Sequence, residues 1–371
     1  MTEFVVIGGG MAGVSAAAHL APFGSVTLLE MERTLAYHTT GRSAALFVVN
    51  YGAHGVRPLA RASRRFLESP PEGSTEAPLL TRRGLLWIGE EGQIDQIEQI
   101  AAGSIGSGEG TRKVGSEEMS ELVPALRRER IAVGLYEPGA SDIDVAALHQ
   151  AFVRIARRHG AEIRTGAAVN SIARTGSSWI VRAADDEIRA QTVVDAAGAW
   201  GDVVAMMAGV EPIGLQPMRR TAFMVPGSEE FAAWPMVVDA DQRFYFKPDG
   251  VQLLCSLAEE VPSEPIDARP RMEDVAMAIE RINEATTLGI GVVNSEWAGL
   301  RTFSPDRELV IGEDPTAPGF FWLVGQGGVG IQTSPGYGSL LASLVTGEDL
   351  TPDLVEVGVD PAVTDPARFR R

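Results

Sequence analysis

Gly8, Gly10 and Gly13 stand at the G-x-G-x-x-G spacing, and Glu30 follows the first of them by 22 residues. Such a set takes a diphosphate and a ribose. Gly8 permits a tight turn, Gly10 lets the backbone approach a pyrophosphate, and Gly13 lets a helix lie close to a strand. The diphosphate then rests on the free N–H groups of a helix N-terminus, where the macrodipole favours negative charge. Glu30 is at the distance from which a carboxylate accepts ribose hydroxyls. These residues work only if the right elements hold them. Residues 4–7 are an apolar run, 14–20 are alanine-rich and read as a helix, and 26–29 are a second apolar run ending at Glu30. Strand, glycine turn, helix, strand and acid together specify dinucleotide binding. They do not separate FAD from NAD, which use the same physics.

A second glycine-rich segment, 325–334, follows the apolar run 320–324 roughly 300 residues later and leads into a helix expected over 338–345. Two such turns suit an extended cofactor touched at both ends. A helix N-terminus there can face the N1–C2=O edge of a flavin and stabilise the anionic reduced ring. Between them, a helical stretch over 145–159 is followed by residues 161–164, which lead into 166–169, read as a strand with a small-residue edge, and then by 192–200, read as a buried strand ending in small residues.

Composition narrows the rest. The 371 residues carry 32 basic against 49 acidic side chains, a net charge of −17. A surface that negative repels nucleic-acid phosphates and anionic lipid, so no nucleic-acid partner is expected. Cys255, the single cysteine, excludes an intrachain disulfide and reads as a buried strand residue. The histidines show no ligand spacing, and no metal is expected. No apolar run approaches a bilayer span and the start lacks a basic signal region, which predicts a cytoplasmic protein.

Residues 6–13 with Glu30, the block Tyr37-His38-Thr39-Thr40-Gly41-Arg42-Ser43-Ala44-Ala45, and the stretches 139–144, 214–220, 244–248, 297–301 and 326–334 occur in a characteristic order. In these blocks the chain resembles the FAD-dependent amino-acid oxidoreductases of the D-amino-acid oxidase and glycine oxidase superfamily, and most closely the bacterial D-arginine dehydrogenase type. The resemblance implies an α/β fold with an α+β part: a Rossmann-like FAD-binding domain (1–45, 140–215 and 297–371) interleaved with a β-rich substrate domain (46–139 and 216–296). It makes the cofactor FAD, held noncovalently. Gly8, Gly10, Met11, Ala12, Gly13, Glu30 and Met31 would take the nucleotide, with Val169 at the adenine side. The loop of Thr40, Gly41, Arg42, Ser43 and Ala44 would wrap the flavin, joined by Ala197, Gly198 and Trp200. Gly328, Gly330, Ile331, Gln332 and Thr333 would meet the isoalloxazine and ribityl. His38 lies near that loop, and a noncovalent contact is expected of it rather than a histidyl link.

Amino-acid oxidation by a flavin needs little acid–base machinery. The substrate must present its Cα–H to flavin N5, and a planar guanidinium that grips both carboxylate oxygens fixes the face presented. The resemblance points to Arg301 as that clamp, to Arg220 and Tyr245 beside it, and to Tyr51 as a lid. Leu46, Val48, Leu85, Trp87 and Gln332 would border the substrate. Here the chain departs from the D-arginine dehydrogenase type: the carboxylate that would hold a guanidinium is Leu85, and a lid histidine and threonine are Leu46 and Val48. A cation buried against Leu85 would cost several kcal/mol. The expected substrate is therefore a D-amino acid with an apolar or aromatic side chain, oxidised to an imine that hydrolyses to a 2-oxo acid and ammonia. The alternatives are a 2-hydroxy acid or a secondary amine (N-methyl or cyclic imino acid), or a flavin subunit of a larger dehydrogenase complex. With only Lys113 and Lys247 in the chain, a lysine over the flavin is not expected, and Lys247 reads as a strand-end charge. The electron acceptor stays open. The stretch 101–115 reads as an exposed connection, and the proline- and aspartate-rich tail beyond 351 as loosely ordered.

Overall fold

The computed structural model describes residues 2–370. Strand Thr2–Ile7 lies at the centre of an eight-stranded sheet. It runs parallel to Val26–Leu29 on one side and to the end of Asp186–Asp195 on the other. Phe320–Val324 extends the parallel set beyond Asp186–Asp195, and Glu162–Arg164 beyond Val26–Leu29. Every residue of Val26–Leu29 and Phe320–Val324 is buried. That is why both read as continuous apolar runs, since a parallel sheet is covered on both faces. Helices Met11–Leu20, Val145–Arg158 and Ser334–Thr346 share one core with residues such as Leu28, Leu148, Phe152 and Leu340. A second core holds Trp179, Phe320 and Trp322 with Val204 of helix Gly201–Met207.

A separate nine-stranded sheet is built around Gln216–Pro226, which pairs antiparallel with Ser295–Phe303 through nine residue pairs. Helix Met272–Ala285 packs Val275, Ala278 and Ile282 onto Phe223, Phe246 and Cys255. Cys255 is fully buried in that sheet, and burial pushes its thiol pKa up. Residues 297–303, counted with the cofactor domain in the expected division, run in this second sheet.

Several expectations are corrected. Residues 166–168 lie outside any strand, and the strand begins at Val169. The stretch 101–115 is only partly a connection, because helix Ile94–Ser104 enters it and strand Arg112–Val114 closes it. The tail is folded: helices Pro352–Glu356 and Pro361–Thr364 and a 3-10 turn at Pro366–Phe369 cover it. Its prolines and aspartates are helix starts, with Asp360 and Asp365 accepting from the N–H of Ala362 and Ala367. Arg370 then pairs with the buried Asp314 at 2.7 Å. Among the described residues no helix is long and apolar enough to cross a membrane.

Candidate active site

Gly8 leaves the central strand with φ +110°, and a Cβ there would come within 2.5 Å of the Ala196 carbonyl oxygen. A Cβ on Gly13 would lie 1.8 Å from the Gly8 carbonyl oxygen, so the helix rests directly on the turn. The buried Glu30 is oriented by backbone: Oε2 accepts from Gly9 N–H at 2.6 Å and Oε1 from Glu32 N–H at 2.8 Å. A carboxylate has about four lone-pair sites, so capacity remains for hydroxyls. Thr40 Oγ1 accepts from Met11 N–H at 2.9 Å and ties its loop to the helix start. His149, buried on helix Val145–Arg158, places Nε2 3.0 Å from the Gly9 carbonyl oxygen, and burial lowers its pKa.

A long cleft runs from this turn to the second sheet, bordered by Glu30 and Val169 at one end and by Arg220, Tyr245 and Arg301 at the other. Met218 faces Arg301 and Arg220 faces Gly299 across the strand pair, so Arg220, Gly299 and Arg301 share one face. Gly299 presents no side chain between the two guanidiniums. Arg220 is anchored by Nε to the Glu259 carbonyl oxygen at 2.6 Å and approaches Glu260 at 3.4 Å. Burial, then the Arg301 charge, lowers its pKa. Arg301 lies against the second glycine turn, where a Cβ on Gly328 would meet Nη1 at 2.8 Å. Among the described residues it has no carboxylate partner, and the Tyr245 phenol has no hydrogen-bond partner.

Most of the sequence-predicted residues meet on this one cleft: Gly8, Gly10, Met11, Ala12, Glu30, Met31, Thr40, Arg42, Ser43, Ala44, Val169, Ala197, Gly198, Trp200, Gly328, Gly330 and Ile331. Others do not reach its wall. Gly13 and Gly41 act through close packing, the latter beside the Ala36 carbonyl oxygen at 2.4 Å from a built Cβ. Thr333 bonds back to the Val329 carbonyl, because its helix begins at Ser334, four residues earlier than expected. Gln332 Oε1 accepts from Val48 N–H at 2.8 Å, which makes it a tie between the glycine turn and the segment after the flavin loop. Leu46, Val48, Leu85 and Trp87 form an apolar cluster with Tyr245 instead of lining the cleft themselves. Tyr51 borders an adjoining cavity that shares Arg220 and Arg301, and its hydroxyl reaches Gln242 at 3.3 Å.

Arg42 lines the cleft, but its guanidinium is bound to Asp267 at 2.6 Å and to the carbonyls of Ala268 and Ala298. His38 pairs with Glu32 at 3.0 Å and leans on the Trp200 ring. Lys247 is no strand-end charge; it is buried in its strand and held by Asp142 at 2.6 Å. The sequence reading missed two residues. Glu137, opposite Leu85, is a buried carboxylate satisfied by the Trp87 indole at 3.0 Å and the Asn50 amide at 2.8 Å. Tyr337, fully buried beside the cleft, resembles core filling in its helix. A carboxylate ending the apolar run Val133–Glu137 was the only available signal for the first, and the second had none.

The residues present fit FAD. The glycine cradle at Gly8 would be filled by a Cβ, Glu30 retains acceptor capacity, and the cleft continues to a second glycine turn preceding a helix N-terminus. At 25% identity, human mitochondrial dimethylglycine dehydrogenase aligns with 99% of this chain and 44% of its own length. Human mitochondrial sarcosine dehydrogenase is 26% identical over 91% of this chain and 39% of its own. The chain thus spans less than half the length of these curated relatives. Among solved structures, L-proline dehydrogenase from P. horikoshii superposes with a TM-score of 0.87 at 21% identity, covering 100% of this chain and 98% of that one. Glycine oxidase from Geobacillus kaustophilus gives 0.84 at 22%, covering 97% and 98%. A model of the FAD dependent oxidoreductase family, DAO, matches residues 3–344, and the chain belongs to that family of FAD-dependent enzymes.

Proposed function

We propose that this chain oxidises the C–N bond of a small amino carboxylate whose remaining substituents are apolar. The observation that carries the reading is Arg301, a guanidinium on the cleft wall that has no carboxylate partner among the described residues, with the Tyr245 phenol, likewise without a hydrogen-bond partner among them, on the same wall. Bound FAD supplies the hydride acceptor. Arg301 grips the substrate carboxylate, Arg220 adds a second positive charge, and Tyr245 donates its O–H to the same group. Two nearby cations also depress the pKa of a substrate ammonium and so favour the neutral amine that gives up hydride. The cluster of Leu85, Trp87 and Val48 behind Tyr245 offers no partner to a cationic side chain, and Glu137 already accepts from Trp87 and Asn50. Tyr51 covers the adjoining cavity as a lid. The two sheets correspond, in this reading, to interleaved cofactor and substrate domains.

Within this class the first reading is a D-amino acid with an apolar or aromatic side chain. The second, an N-methylated or cyclic secondary amine, is favoured by the dimethylglycine and sarcosine dehydrogenases among the relatives. Anaerobic mixing of the yellow protein with single compounds decides between them. D-leucine, D-methionine and D-phenylalanine bleach the flavin under the first reading, sarcosine, dimethylglycine and proline under the second. D-arginine outpacing all of these, or bleaching by 2-hydroxy acids alone, overturns the proposal. Readmission of air then reports whether oxygen restores the colour.

A further inference from the structure

Five non-glycine residues among those described have positive φ, and three of them border one cavity: Gln242 at +55°, Ala258 at +60° and Arg307 at +65°. Left-handed backbone without glycine is a cost, and such residues gather at working sites. The cavity, about 390 Å³, adjoins the cofactor cleft and shares Arg220 and Arg301 with it. Its rim is exposed at Asp241, Gln242, Glu260 and Arg307, whereas Arg220 is buried. Three guanidiniums thus line it between solvent and cleft. Glu260 joins two of them: its carboxylate accepts from Arg307 Nη2 at 2.9 and 3.0 Å and lies 3.4 Å from Arg220 Nη2. The Arg307 guanidinium also lies over the Phe303 ring, 3.8 Å from its centroid, which sets it against the cavity wall. Arg220 does not depend on Glu260 for its position, because its Nε is tethered to the Glu259 carbonyl oxygen at 2.6 Å.

We infer that this cavity is the route by which the substrate enters, and that Arg307 is its outer carboxylate site, with Glu260 as the place-holder that the arriving carboxylate displaces. The inference rests on the reading of Arg301 as the carboxylate clamp. A chain with net charge −17 repels an anionic group at long range, and a guanidinium at the mouth offsets that repulsion locally. Asp241 and Glu260 on the same rim repel anions as well, so Arg307 is the group that makes the mouth passable. It also selects the carboxylate end of a zwitterion as the leading one, which is the orientation Arg301 requires. Arg307 is half exposed and Glu260 a third exposed. An ion pair so placed contributes little, and exchanging Glu260 for a substrate carboxylate costs little. The carboxylate then passes inward to Arg220 and Arg301.

Arg307→Asn removes the charge and keeps a residue that tolerates left-handed backbone. Glu260→Gln removes the charge of the place-holder. Each yellow holoenzyme is mixed anaerobically by stopped flow, at several salt concentrations, with two probes. One is benzoate, a carboxylate with no amine to oxidise, followed by its perturbation of the flavin spectrum. The other is whichever amino acid or amine named above bleaches fastest. In Arg307→Asn the second-order rate constant for benzoate is expected to fall about three- to tenfold with a shallower salt dependence, and in Glu260→Gln to rise. The limiting rate of bleaching at saturation is expected to stay within about twofold in both, since neither group meets the reacting atoms. Unaltered association in Arg307→Asn, slower association in Glu260→Gln, or a loss confined to the limiting rate overturns the inference and leaves the proposed function standing. The expected benzoate shifts in a protein that none of the named compounds bleaches support the carboxylate route and reject that function. No response to either probe overturns both.

Discussion

The two ends of the cleft are made of different materials. At the nucleotide end the working groups are mostly backbone, the Gly8 turn and the N–H groups opening helix Met11–Leu20, and the one side chain among them, the Glu30 carboxylate, is itself oriented by the Gly9 and Glu32 N–H groups. At the other end they are side chains brought from separate strands: Arg220 from Gln216–Pro226, Tyr245 from Tyr245–Asp249 and Arg301 from Ser295–Phe303. The backbone end is a continuous sequence motif with almost no spare volume. The side-chain end is assembled from separate strands, and in the proposed reading substrate choice is set there. Damage at one end should therefore remove the cofactor, and damage at the other should remove only turnover.

Gly13→Ala should have the largest effect, because the new Cβ would fall 1.8 Å from the Gly8 carbonyl oxygen. A loss of at least ~3 kcal/mol of stability is expected, with protein recovered colourless or not at all. A yellow protein with an unchanged melting temperature would break the comparison at its stiff end. Arg301→Met should leave flavin content intact while kcat/KM falls on the order of 10²- to 10³-fold, as for loss of one member of a desolvated charge pair. Bleached protein, or turnover within a few-fold of normal, would show the two ends to be coupled or Arg301 idle. Tyr245→Phe should cost roughly tenfold or less in kcat/KM, one net hydrogen bond, with colour again retained. Equal losses for Tyr245→Phe and Arg301→Met would mean that the charge is not what anchors the substrate.

The smallest effect concerns acid. Burial lowers the pKa of His149 below 6.5, so above that value folded and unfolded chains are both neutral at this site. As pH falls below 6.5 the unfolded chain takes a proton that the folded one refuses, and stability drops until the folded value is reached. In His149→Gln the melting-temperature difference between pH 7.5 and 5.5 should narrow by about a degree or two. An unchanged difference would place the acid sensitivity elsewhere.

Much of the fold was legible because it is locally encoded. The glycine triad, the run 26–29 with Glu30 and the run 320–324 each carry their own geometry. The tail was misread because proline and aspartate signal loops by composition, whereas Asp360-Pro361 and Asp365-Pro366 are helix starts once an Arg370–Asp314 pair holds the segment down. Leu46, Val48, Leu85 and Trp87 were expected to border the substrate and instead pack into one cluster behind the cleft wall, because depth within a sheet is not a property of spacing. Gln332 and Lys247 were misjudged for the same reason: their partners, Val48 and Asp142, are remote in sequence.

By itself the sequence determined the cofactor-binding turn and the parallel strands that carry it, since positive φ, close backbone approach and two-sided burial leave their marks on consecutive residues. The tertiary structure alone decided that Arg220 is tethered while Arg301 has no carboxylate partner among the described residues, and that Glu137 is satisfied by neutral donors. Whether a charge or a hydroxyl is spent or available depends on what folds against it, and those partners arrive from strands and helices far away along the chain.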